Sequence, residues 1–244
     1  MQYINLRKRV RAALLAGVIL LYMSANAQHS PFSGLSGGLT LATNGIGGEL
    51  NALLTPTKLV KTQEITLSFQ SIKHSRETKV QNARYVDPKP YVYGKLNGAA
   101  TIRLSYSMSK QIGQHMTSKP SVFWGFSAGP SLGILKPYYI GYQSNAPESN
   151  SPALIPQSTE TIANQDFIYG PATWTLGTDE LSFKPGLHFA TYLSINWNHS
   201  FYFQSWESGV RFDYFPQELE ILHLANNKAF MSIYTSYLIG KHRP

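Results

Sequence analysis

Residues 95–108, KLNGAATIRLSYSM, sort by polarity at every second position. Leu96, Gly98, Ala100, Ile102, Leu104, Tyr106 and Met108 form an apolar set. Lys95, Asn97, Ala99, Thr101, Arg103, Ser105 and Ser107 form the other, which is polar apart from Ala99 and carries two cations. A β-strand projects alternate side chains from opposite faces, so this run specifies a strand with one apolar and one polar side. In a soluble sandwich the apolar side meets a second sheet. In an outer-membrane barrel it meets lipid, and the polar side lines the lumen.

The distribution of bulk decides between the two. Residues 121–137 place Val122, Trp124, Phe126, Ala128, Leu132 and Ile134 against Gly125, Ser127, Gly129, Ser131 and Gly133. Small residues on one side relieve crowding inside a narrow barrel, whereas a sandwich core needs bulk facing inward. Residues 181–198 repeat the sorting, with Leu181, Phe183, Leu187, Phe189, Leu193, Ile195 and Trp197 on one face and only Thr191 intruding. Residues 63–74, 204–215 and 229–240 read as three further strands, and Asn44-Gly45 marks a hairpin between strands at 34–43 and 46–54. Eight strands result, or ten if the 138–180 connection contributes a pair, for which a short hairpin near 169–176 is the candidate. Long connections (75–93, 138–180, 216–227) alternate with mostly shorter ones (55–62, 109–120, 199–203), the asymmetry of a barrel with short periplasmic turns and long outer loops.

Composition agrees. Charged residues make up 14% of the chain, against about 25% in soluble domains. Aromatic residues reach 13%, with fifteen tyrosines, as interfacial girdles require. There is no cysteine, which excludes disulfides and thiolate metal sites. Arg7, Lys8, Arg9 and Arg11, the apolar run 12–23 and Ala25-Asn26-Ala27 form a signal peptide over residues 1–27, leaving a barrel domain at 28–244. Its removal takes away four basic residues and no acidic ones, lowering the formal charge from +8 to +4. No basic run then remains for nucleic acid.

The segments TNGIGGELN (43–51), YVYGKLN (91–97), GPSLGILKPYY (129–139), IYGPATWTLG (168–177) and FKPGLH (183–188) resemble the small outer-membrane β-barrel proteins of Bacteroidota-type Gram-negative bacteria. The resemblance implies an eight-to-ten-strand barrel in the outer membrane and brings no catalytic residues. The C-terminus, Gly240-Lys241-His242-Arg243-Pro244, departs from the terminal aromatic of many such barrels.

The polar face collects Glu49, Glu64, Arg103, Lys184, His188, Glu207, Arg211 and Asp213. An eight-stranded interior is just filled by side chains, so these are expected to pair into a lumen network, with Glu207, Asp213, Glu64 or Glu49 as partners for Arg103. A narrow pore or small-ligand site is the alternative. His199-Ser200 is the candidate for lipid-modifying chemistry, but an adjacent pair points its side chains to opposite faces of an extended chain. His29, His74, His115, His223 and His242 lack metal-ligand spacing and read as solvated. No phosphate loop, dinucleotide fingerprint, HExxH or GxSxG is present. The expectation is thus an all-β, closed, up-and-down transmembrane barrel in the outer membrane, without cofactor. Its partners are outer-membrane lipid and proteins of the outer membrane or periplasm, in a structural or interaction role such as an accessory of secretion or surface assembly. A minor channel and a lipid-modifying enzyme are the competing functions.

Overall fold

The computed structural model describes residues 32–54, 62–85, 89–113, 120–143, 153–158, 161–162, 164–198, 202–223 and 225–242. The proposed signal peptide and His199-Ser200 lie outside them. In chain order the strands are β1 (Phe32–Ala42), β2 (Gly45–Leu54), β3 (Thr62–Ile72), β4 (Lys79–Val80), β5 (Tyr91–Val92), β6 (Asn97–Gly113) and β7 (Ser121–Pro137). They continue with β8 (Tyr139–Tyr142), β9 (Ala153–Pro156), β10 (Ile168–Pro171), β11 (Ser182–Asn198), β12 (Tyr202–Leu222) and β13 (Ala225–His242). Eight of them close a barrel in the order β1-β13-β12-β11-β7-β6-β3-β2, every neighbour antiparallel. The 138–180 connection adds no strand to it, and the expected hairpin near 169–176 is replaced by a separate three-stranded sheet, β10-β8-β9.

The barrel is apolar outside. Leu39 (75% exposed), Leu50, Phe69, Leu104, Trp124, Phe126, Leu187, Phe189, Trp206, Met231 and Ile233 stand on its exterior, while Thr40, Gln70, Arg103, Ser107, Ser127, His188, Asp213, Ser232 and Ser236 are buried within. No soluble protein leaves a belt of this extent in water, so the fold is a transmembrane β-barrel of the outer-membrane type. A span takes about 9–11 residues. With 17 residues in each of β6, β7 and β11, 21 in β12 and 18 in β13, the wall projects well beyond the bilayer.

Glycines let aromatic rings share this narrow interior. Tyr192 pairs with Gly125 on one neighbouring strand and Gly209 on the other. A Cβ at Gly125 would stand 2.5 Å from the tyrosine ring. Phe203 lies likewise over Gly240, and Phe215 over Gly186. At the β1–β2 hairpin the turn is one residue earlier than expected, at Thr43–Asn44, with Gly45 already in the strand opposite Ala42. Gly45 is required by close approach, because a Cβ there would meet the Ser71 carbonyl oxygen.

The end where β3 gives way to β4 is closed by the chain itself. Of residues 216–227, expected to be a polar loop, 216–222 instead prolong β12 and 225–227 prolong β13 into a projecting hairpin. Its tip bends across the mouth: Leu96 N–H donates to Ile221 O at 2.9 Å, His223 N–H to Gly94 O at 2.9 Å, and Asn97 Nδ2 to Glu220 O at 2.7 Å. Phe215, Leu219, Ile221 and Leu222 thereby pack with Ile72, Val92, Ala99, Leu135 and Phe230. The alternation of β12 is interrupted at residues 216–218, all exposed, where its register against β13 shifts, but Phe215, Leu219 and Ile221 are buried on the parity of Arg211 and Asp213, with Glu218 and Glu220 exposed. Above this plug, Tyr91, Ile140 and Ile168 form a second buried cluster. Asn82 Nδ2 donates to the Asp166 and Ile168 carbonyls at 2.9 and 3.0 Å, fastening the two long connections together.

Candidate functional site

The lumen is the candidate, because the barrel wall forces its polar side chains into a space that water barely reaches. Arg103 projects from β6 and Asp213 from β12, and both are fully buried. The guanidinium donates through Nε to Oδ1 and through Nη2 to Oδ2, each at 2.7 Å, a two-pronged geometry that only arginine supplies. Of the four acids that could have met Arg103, strand register selects Asp213. Gln70 Oε1 then accepts from Arg103 Nη1 at 3.2 Å and from Arg211 Nη1 at 2.7 Å, a neutral bridge between two like charges. Arg211 lies 4.0 Å over the Tyr234 ring, with Nη2 4.0 Å from Glu49 Oε2. Tyr234 Oη donates to Glu207 Oε1 at 2.5 Å. Gln70 and Tyr234 were missed by charge alone, although both sit on the inward positions of their strands.

Two of the eight expected residues stand apart. Lys184 is half-buried toward the plugged mouth and makes no ion pair among the described residues. Glu64 is half-buried toward the opposite end and likewise makes none. His74, expected in solvent, is 6% exposed: Nδ1 accepts from the Arg76 N–H at 3.2 Å, and Nε2 lies 3.0 Å from the Asn227 side chain. Burial, reinforced by the nearby Arg76 charge, holds its pKa below the ordinary histidine value.

His188 bears on catalysis. Its Nε2 is 3.4 Å from Ser127 Oγ and its Nδ1 3.5 Å from Asp213 Oδ1, the contact order of a nucleophile, base and orienting acid. The resemblance stops there. Both Asp213 oxygens are held by Arg103, and His188 Nδ1 makes no hydrogen bond. The adjoining cavity, ≈ 20 Å³, admits a water molecule and no acyl group. A larger cavity of ≈ 120 Å³ opens at the end of the short connections, between Glu64, Tyr192, Asn196, Ser205 and Glu207.

No family model matches the chain, and no curated protein is similar to it. Among solved structures, it is similar to the crystal structure of Neisserial surface protein A (NspA), with 8% identity, a TM-score of 0.40, and coverage of 86% of this chain and 95% of that chain. At that level the barrel must be read from its own geometry.

Proposed function

We propose that the chain is an exported outer-membrane protein with its long connections outside, serving as a membrane-anchored platform in a structural or interaction role and not as a pore or enzyme. The observation that carries this reading is the plug. Phe215, Leu219 and Ile221 are each 0% exposed across the mouth, above a lumen already crossed by the Arg103–Asp213 pair. A solute would have to break both layers. Beyond the plug the chain invests in an ordered surface, the β10-β8-β9 sheet, with Trp174 78% exposed beside Lys136. Loops carry function when a rigid scaffold positions them. Protein partners in the outer membrane or periplasm, including a secretion or surface-assembly system, fit this platform.

Planar-bilayer recording on the detergent-refolded chain tests the closed lumen: a silent bilayer is expected, and stable unitary currents would replace the reading with a channel. The platform is tested by tagged pull-down from cross-linked outer membranes, comparing the intact chain with one in which residues 153–171 are replaced by a short glycine-serine link. A partner lost with that segment supports the role. An identical set of partners shows that the barrel wall, and not the platform, is what is recognised.

A further inference from the structure

We infer that the blind cavity at the short-connection end binds a hydrated divalent cation of the Mg²⁺ or Ca²⁺ class between Glu64 and Glu207. The two strands that carry these residues, β3 and β12, are four places apart in a ring of eight, so the carboxylates face each other across the lumen. Both line the ≈ 120 Å³ cavity and the smaller one that continues inward from it. Neither forms an ion pair among the described residues: Arg103 is taken by Asp213, and Arg211, on the same small cavity as Glu207, lies nearer Glu49. Glu207 uses Oε1 to accept from Tyr234, and Glu64 makes no hydrogen bond among the described residues.

An independent observation points the same way. On β2, Glu49 Oε1 and Asn51 Oδ1 are buried without a hydrogen-bond partner among the described residues, in residues 7% and 3% exposed that line the smaller cavity. Buried acceptors of this kind are costly unless a donor or cation reaches them. The two unmatched atoms on this β2 wall are oxygen acceptors, which favours a hard cation over a soft one, while Arg211 Nε and His188 Nδ1, also unmatched, line the same small cavity. Two carboxyl groups outside any ion pair among the described residues can together balance a divalent ion, which would displace their protons on binding. Among the described residues no three acidic or histidine side chains converge tightly enough to encage it, so the ion keeps several waters, for which the larger cavity has room. The plug at the opposite mouth makes this a binding site without a path through.

The test uses the full chain refolded in zwitterionic detergent. Calorimetric titration with MgCl2 and with CaCl2 at constant ionic strength should show one saturable site per chain. The midpoint of the heat-induced gel shift should rise with divalent concentration and not with matched NaCl. In E64Q/E207Q the affinity should fall at least about tenfold and the divalent-dependent rise should vanish. No saturable binding by the wild-type chain would overturn the inference, and so would undiminished binding by E64Q/E207Q, which would place the ion on the surface. If the double variant does not refold, E64Q alone serves, with the same fall expected and unchanged affinity again decisive against the site. Bilayer currents play no part in this outcome, so the site and the closed lumen stand or fall separately.

Discussion

The barrel wall and the plug are built from the same strands under opposite rules. Through the bilayer, β12 turns Trp206, Phe212 and Tyr214 outward and Glu207, Arg211 and Asp213 inward; two residues later it turns Phe215, Leu219 and Ile221 inward and Glu218 and Glu220 outward. The switch is a layer. Gln70, Thr101, Asp213 and Ser232 are buried polar residues, and the next inward positions on their strands are Ile72, Ala99, Phe215 and Phe230, all in the plug core. Across this layer the inward parity is kept while the solvent outside changes from lipid to water; only beyond Phe215 does β12 shift register against β13. A strand that leaves the membrane therefore need not stop, provided that its binary pattern inverts where it emerges.

Perturbing the two regions should separate their energetics. The largest effect is expected in the wall. Asp213→Ala strands the Arg103 guanidinium in a closed interior and should cost about 3–5 kcal/mol, whereas Arg103→Met with Asp213→Leu should restore most of it. Unfolding followed by loss of heat-modifiable gel mobility reads both, and equal losses would mean that the pair contributes only its volume. In the plug, Leu219→Ala should cost about 2–5 kcal/mol by leaving a cavity, read by the same gel assay, while bilayers stay silent because the Arg103–Asp213 layer is untouched. Next comes Gly125→Ala, whose methyl group collides with Tyr192; about 1–3 kcal/mol is expected, recovered when Tyr192→Leu is added.

The smallest effect is a pH dependence at the water-facing end. His74 has a folded pKa below its ordinary value, so the stability it confers is full above that unfolded value and is lost as pH falls through and beneath it. Proteolysis of the 73–96 connection should accelerate on going from about pH 7.5 to about pH 5, and His74→Gln should flatten the profile. A profile that His74→Gln leaves unaltered would assign the dependence to other groups.

The wall was legible in the sequence because lipid imposes its rule on every second residue, and the strand holding Arg103 shows it plainly. The partner of Arg103 was not, since Asp213 is 110 residues away and only register distinguishes it from Glu49, Glu64 or Glu207. Gln70 escaped because an uncharged amide gives no sign that it will bridge two guanidiniums. The plug was hidden by Pro216, Glu218 and Glu220, which make the segment look like a loop when counted by composition; following the parity of Phe215, Leu219 and Ile221 would have found it. The β10-β8-β9 sheet is made of four-residue strands, too short for any period to emerge.

The inward-folded segment of β12 also ties the closing of the ring to the closing of the mouth. Closing the ring requires β13 to zip onto β1, joining residues as distant as Thr40 and Ser236, whose hydroxyls meet at 2.8 Å. Such a long-range pairing is the slow step of a β-topology. The hairpin that completes the circumference is the same one that seals the mouth, so ring and stopper depend on one strand pair.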